Sequence, residues 1–305
     1  MRVAVLDLGT NTFHMLVAED NGAGGWRYLK KNKIYVKLAE EGIQRISDAA
    51  FQRGLNALRI FREELDAIGV PPSRIRAFGT AALRTAENAP EFIEQAVSVI
   101  GIRPETIPGD REAELIHKGV CQAVPFPDNR VLIMDIGGGS VEFIIADRQK
   151  VFWQKSFPVG VAVLWRTFHH RDPITATEIQ NIEHHLETAL AELWQALLQF
   201  PAPTLVGASG TFDVIDLFLL DPAEKPELYG YIPVRNFYPL ADMLIRSTLA
   251  ERRAMPKLPE ERVEMVVPAL VLIRYVLEKA DIREIYTSAY AMKEGMLTEM
   301  LKVEG

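Results

Sequence analysis

The strongest constraint on how this chain folds is a segment that occurs twice. Val5-Leu6-Asp7-Leu8-Gly9-Thr10-Asn11-Thr12-Phe13-His14-Met15-Leu16-Val17-Ala18 lies without a gap over Ile133-Met134-Asp135-Ile136-Gly137-Gly138-Gly139-Ser140-Val141-Glu142-Phe143-Ile144-Ile145-Ala146, 128 positions further on. The acid, the first glycine, the hydroxyl residue and the flanking apolar runs coincide. Similarity at a fixed offset marks an internal repeat. Apolar, β-branched runs of this length read as buried strands, and two joined through glycines read as a hairpin. The chain therefore reads as two related α/β domains, each opening on a strand–turn–strand unit.

The turn carries chemistry as well as shape. Glycines let backbone amides point outward unobstructed, and consecutive amides form an anion-binding concavity. Asp7 and Asp135 end their strands, where a carboxylate can hold a hard cation beside that anion. An acid beside an anion pocket points to a Mg²⁺–phosphate site. For either copy alone, a glycine-rich hairpin with a capping acid is the competing reading. Two such turns facing across a cleft would hold one phosphate chain from both sides.

Bulk properties narrow the class. The 305 residues suffice for two domains. A hydrophobic content of 48% with 25% charged residues is that of an ordinary globular protein rather than a disordered or membrane chain. The net charge of −7 and pI near 5.5 argue against a nucleic-acid partner, while a local metal and amides still allow an anionic substrate. The single cysteine, Cys121, precludes an internal disulfide and suits the cytoplasm; nothing around it looks like an activating base. No apolar run approaches the roughly 20 residues that span a bilayer. The N-terminus enters a strand at Val3, leaving no room for a signal peptide.

Asn21–Gly25 reads as a turn and Trp26–Leu38 as further strand, along which Lys37 could reach a phosphate. Ser47 is a plausible N-cap for a helix with an apolar stripe at Phe51, Leu55, Leu58, Phe61, Leu65 and Ile68. Ile75–Arg84 is a strand running through Gly79-Thr80 into a helix, where Arg84 is either a surface residue or a bidentate phosphate grip. Asp110 and Glu112 open another helix as dipole-favoured acids. An acid there could also enter the proposed cleft and activate a water. Pro125–Asp128 is the expected hinge, giving domains 1–124 and 125–305, with the final helix able to pack back on the first. Thr175–Phe200 reads as one long helix, 221–239 as loop, and Arg262–Lys279 as a helix kinked at Pro268. His184 and His185 are adjacent, so they point apart and form no metal clamp but a solvated pair. Thr204–Phe212 is a third strand–small-turn–helix of phosphate-loop type.

Together these residues resemble the exopolyphosphatase/guanosine pentaphosphate phosphohydrolase family. The resemblance rests on Asp7-Leu8-Gly9-Thr10-Asn11-Thr12-Phe13, Gly79-Thr80-Ala81-Ala82-Leu83-Arg84, Pro108 to Leu115, Asp135 to Glu142, and Ala208-Ser209-Gly210-Thr211, and it covers essentially the whole chain. It implies the duplicated actin-like ATPase (ribonuclease H-like) fold, with two domains about a central cleft. The implied reaction is hydrolysis of a terminal phosphoanhydride, of inorganic polyphosphate or of guanosine pentaphosphate. By position, Glu112 would be the catalytic base, and Asp7, Asp135 and Glu142 would hold Mg²⁺ or another divalent cation. Thr10, Asn11, Thr12, Gly137, Gly138, Gly139, Ser140, Ser209 and Gly210 would cradle phosphates, with Arg84 clamping the chain. The family also implies a homodimer.

The departures are specific. Arg111 replaces the first acid of a Glu-Glu pair and Glu114 replaces an arginine. Val163 stands where a basic residue is usual, and Ser288-Ala289-Tyr290-Ala291 replaces Ser-Asp-Gly-Ala. They leave open a non-catalytic sensor of polyphosphate or a nucleotide alarmone; a kinase of the same fold is the other alternative, against which the Glu112 assignment and the whole-chain resemblance argue.

Overall fold

The computed structural model describes residues 1–21, 26–127 and 129–302. Gly22–Gly25 of the expected turn and Asp128 of the expected hinge lie outside them. The chain divides into two compact units, 1–119 with 292–305, and 120–291.

In the first unit, β1 (Arg2–Leu8), β2 (Thr12–Asp20) and β3 (Trp26–Tyr35) form an antiparallel meander. Helix α1 (Asp48–Ile68) follows, capped by the Ser47 hydroxyl, which accepts from the Ala50 amide at 3.3 Å. It ends at Gly69, whose φ of 78° gives the left-handed stop that glycine favours. Its stripe of Phe51, Leu55, Leu58, Phe61 and Leu65 is buried. Then come β4 (Ile75–Gly79), α2 (Ala81–Thr85), α3 (Ala89–Ile100), β5 (Glu105–Thr106) and α4 (Gly109–Ala123). Strands β4 and β5 extend the sheet in parallel, in the order β3-β2-β1-β4-β5.

The second unit repeats the plan. Strands β6 (Val131–Ile136), β7 (Val141–Ala146) and β8 (Val151–Phe157) form the meander. Helices α5 (Val161–Phe168), α6 (Ala176–Ala189) and α7 (Ala191–Gln199) lead to β9 (Thr204–Ala208) and α8 (Gly210–Leu219). Next are β10 (Tyr229–Pro233), α9 (Val234–Arg246), α10 (Leu249–Arg253), α11 (Val266–Lys279) and β11 (Glu284–Ser288). The sheet order is β8-β7-β6-β9-β11-β10, the same order with one antiparallel strand added at the edge. The last helix, α12 (Met292–Lys302), packs on β1 and β2 of the first unit.

This repeated order is the duplicated actin-like α/β fold. The repeat extends to irregularities: register slips fall between Val17 and Ala18 in β2 and between Ile145 and Ala146 in β7, again 128 positions apart. Among the described residues no helix is long and apolar enough to cross a membrane.

Three local expectations are corrected. The helix over 175–200 is two helices, broken at Leu190, where no glycine or proline announces the break. The segment 221–239 holds β10 and most of the first two turns of α9. Tyr229 and Tyr231 of β10 pack across strands on Tyr286, Tyr231 with ring centroids 5.2 Å apart. Helix α11 begins at Val266, so Pro268 lies in its first turn, where its missing N–H has no intrahelical partner and no kink follows. His185 is also less solvated than expected, stacking on Phe168 at 5.2 Å, and burial holds its pKa below the ordinary value.

Glu178 shows how tightly one helix start is tied. Its carboxylate accepts from the Thr175 amide and hydroxyl and from the amides of His170 and Arg171, at 2.8–3.0 Å. Burial raises its pKa, but these donors outweigh that and hold the group at about 2. A depressed carboxyl stabilises the fold above its unfolded pKa, and the contribution fades as pH falls through the folded value. Glu178→Gln is therefore expected to lower stability at pH 7 by about 1–3 kcal/mol. The gap from the parent should close between roughly pH 4.5 and 2 in urea titrations.

Candidate active-site residues

In an open α/β sheet, ligands bind beyond the carboxyl ends of the parallel strands. In the first unit those ends are Leu8, Gly79 and Thr106, joined where Leu8 O accepts from Thr80 N and Gly79 O from Ile107 N. The Gly9–Thr12 turn closes with Gly9 N donating to Thr12 O at 3.1 Å. A Cβ on Gly9 would meet that oxygen at 2.8 Å, which explains the glycine. Thr10 O accepts from Leu38 N, and Asn11 O from Val36 N and Lys37 N. A trans peptide points its carbonyl and the next amide in opposite directions, so the amides of Asn11 and Thr12 face the other way. Lys37 sits at this turn with a left-handed φ of 44°. The Thr10 hydroxyl accepts from Ala82 N at the start of α2.

Helix α2 presents Arg84. Its Nη1 donates to Ile107 O at 2.7 Å and to Glu112 Oε2 at 3.2 Å. The expected base and the expected phosphate grip are therefore neighbours, with the carboxylate buried in the first turn of α4. The Nε–Nη2 edge of Arg84 makes no hydrogen bond to the described residues.

The second unit builds its turn in the same way, with Gly137 N donating to Ser140 O at 3.0 Å. Here the N-terminus of α5 docks on the glycines. Val161 N donates to Gly137 O, Ala162 N to Gly138 O and Gly160 N to Gly139 O, at 2.9–3.4 Å. With three carbonyls drawn toward α5, the amides of Gly138, Gly139 and Ser140 point away from it. None of the three donates to an acceptor among the described residues. Consecutive amides so placed have the form of an anion nest.

Asp135 and Glu142 lie directly opposite each other in the β6–β7 register and are both buried. Glu142 Oε1 accepts from the hydroxyls of Ser140 at 2.7 Å and Ser156 at 2.6 Å. Ser209, with φ 68°, donates its hydroxyl to Ile136 O at 3.0 Å, lacing β6 to the start of α8. In the resting protein, Ser140 and Ser209 thus spend their hydroxyl protons internally, and what these turns offer an anion is amide N–H.

The repeat is not chemically symmetric. The partner of Asp7 across the β1–β2 register is His14, which occupies the place of Glu142, and Lys33 follows on β3. Two buried carboxylates side by side fit a hard dication that keeps several waters; a carboxylate beside an imidazole fits one less well. Among the described residues no group of three or more His, Cys, Asp or Glu is arranged to hold a metal. A dication in the second unit would thus rest on Asp135, Glu142, water and substrate oxygens.

One residue escaped sequence reasoning. Arg262 lies against the backbone of Gly210, where an added Cβ would stand 3.0 Å from Nε and overlap the guanidinium. Its side chain makes no ion pair or hydrogen bond to the described residues, so a cation lies over the amides that start α8. Only a long-range contact reveals it, 52 residues from the turn it covers. Cys121 is excluded as a nucleophile at neutral pH, because burial pushes its thiol up to about 11.

The profile of the Ppx/GppA phosphatase family matches residues 16–304, and the chain belongs to that family. It is 31% identical over 301 residues to a guanosine-5'-triphosphate,3'-diphosphate pyrophosphatase of Photobacterium profundum, covering 98% of this chain and 59% of the relative. The chain thus spans well under two thirds of that relative's length. A putative exopolyphosphatase of Haemophilus influenzae is 29% identical, over 98% of this chain and 91% of its own length. Among solved structures, an exopolyphosphatase of Cytophaga hutchinsonii superposes with a TM-score of 0.94 at 36% identity, covering 99% of this chain and 98% of that one. The Ppx/GppA enzyme of Aquifex aeolicus, at 23% identity and a TM-score of 0.80, over 98% of this chain and 99% of its own, shares the fold.

Proposed function

We propose that this protein is an exopolyphosphatase, hydrolysing the terminal phosphoanhydride of inorganic polyphosphate with a divalent cation, Mg²⁺ by chemistry. The observation that carries the reading is the Gly137–Ser140 turn, where three amides without an acceptor among the described residues adjoin a buried carboxylate pair. Such a turn suits phosphoryl oxygens, and such a pair suits the cation that accompanies them. Asp135 and Glu142 would hold the cation, which when bound neutralises charge on the phosphoryl oxygens. Asp7, the third expected ligand, lies on β1 opposite His14.

In the proposed reaction, Glu112 accepts a proton from a water as its oxygen attacks the terminal phosphorus. The bond from that phosphorus to the bridging oxygen breaks, and the bridging oxygen leaves with the negative charge. Arg84 keeps one nitrogen on Glu112 and turns its other edge to the phosphoryl group. The amides of Gly138, Gly139, Ser140 and Gly210, with Arg262, fix the chain. Phosphoryl transfer is accelerated chiefly by such positioning and charge neutralisation.

The second reading, 5'-phosphate removal from guanosine pentaphosphate, draws on the name of the Photobacterium relative. Phosphate release from polyphosphate and from guanosine pentaphosphate, with Mg²⁺ and with EDTA, separates the two. Mg²⁺-dependent release from polyphosphate supports the first; release from neither overturns both. Arg262→Ala is expected to raise KM about tenfold, the worth of one charge-assisted contact. Tm should barely change, since among the described residues the guanidinium makes no ion pair or hydrogen bond to lose.

A further inference from the structure

The charge exchange at Arg111 and Glu114 has a structural counterpart. Arg111, Leu115 and Lys118 recur at four- and three-residue spacing, which places them on one stripe of α4. That stripe faces α12. Arg111 and Lys118 both reach Glu299, one from each end of the stripe. Between them the helices touch at backbone level: a Cβ on Gly295 would lie 2.7 Å from the Leu115 carbonyl carbon and overlap its oxygen. Arg111 Nη1 also donates to Glu114 Oε2 at 2.9 Å, so each exchanged charge answers the other. Burial pushes the Glu299 carboxyl up, and the Lys118 and Arg111 hydrogen bonds outweigh it, keeping the group ionised.

The next residue round α4 is Glu112, held by Arg84 on the far side. Helix α12 meanwhile packs on β1 and β2, the strands that flank the Gly9–Thr12 turn. One helix therefore braces both the element carrying the base and the strands carrying a phosphate turn. We infer that Glu299 is a positioning residue for Glu112. Through Arg111 and Lys118 it fixes the rotation of α4, so that the carboxylate meets its water in a productive pose. The inference rests on the reading of Glu112 as the base.

The test is a double-mutant cycle in phosphate release from polyphosphate. Glu299→Gln keeps the shape and loses the charge. It is expected to lower kcat about tenfold with KM within twofold, as small misplacements of a catalytic group do. In the Glu112→Gln background the same change should cost nothing further, because there is no base left to misplace. Arg111→Gln, which leaves Glu299 its lysine, should reproduce the kcat loss and serves if Glu299→Gln fails to fold. An equal loss in both backgrounds, or a loss matched by the unfolded fraction in circular dichroism, overturns the inference and leaves Glu299 a merely stabilising residue. So does unchanged kcat for Glu299→Gln beside an inactive Glu112→Gln. Full activity of Glu112→Gln itself overturns the assignment of the base, and this inference with it.

Discussion

Glu112→Gln is expected to lower phosphate release by about 10²–10⁴-fold at saturating substrate, the usual worth of a positioned general base. Glutamine has nearly the shape of glutamate, and its carbonyl oxygen can still accept from Arg84 Nη1. Arg84 also keeps its 2.7 Å bond to Ile107 O, so the local frame survives. What disappears is the site that takes the proton. KM should therefore stay within a few-fold of the parent and Tm within a few degrees, with the loss confined to kcat. A variant that turns over at a rate close to the parent's would place the proton acceptor elsewhere.

The second large effect is expected from Gly160→Ala. An added Cβ would stand 2.5 Å from the carbonyl carbons of both Gly138 and Gly139. These are backbone atoms of the turn itself, with no side chain free to swing away. The methyl group can be housed only by lifting α5 off the turn or tilting the glycine peptides. Either way the three outward amides lose their common aim. Overpacking of this kind costs about 1–3 kcal/mol, or roughly 5 °C in Tm. Phosphate release should fall by about two orders of magnitude through misaligned donors. Gly69→Ala is the control. Its φ of 78° strains an alanine, yet nothing lies within 4 Å. It should lose stability and keep its kinetics, measured by thermal melts alongside phosphate release.

The legible parts of this chain were those set by local periodicity and by the repeat. The paired turns, the hairpins that flank them and the Ser47 cap depend on residues a few positions apart, so the sequence displays them directly. What stayed hidden depended on distant contacts. Arg262 reads as an ordinary helix residue until its guanidinium is found over Gly210. Arg111 and Glu114 read as erosion of a catalytic motif until Glu299 supplies the missing partner. The hydroxyls of Ser140 and Ser209 read as phosphate donors until their internal acceptors are seen. The segment 221–239 reads as loop because its prolines discourage a strand in isolation, whereas pairing with β11 stabilises one. His14 was visible in the repeat, but only the strand register shows that it stands in for the second carboxylate.

The position of α12 has a consequence for how the molecule is made. Helix α12 packs on β1 and β2, so these strands gain one of their packing partners only after the whole second unit has been made. The second unit is continuous from 120 to 291 and takes no segment from beyond that range. A released chain truncated before Met292 should therefore keep the second unit protected from protease and leave the first open to it, although the first is translated earlier.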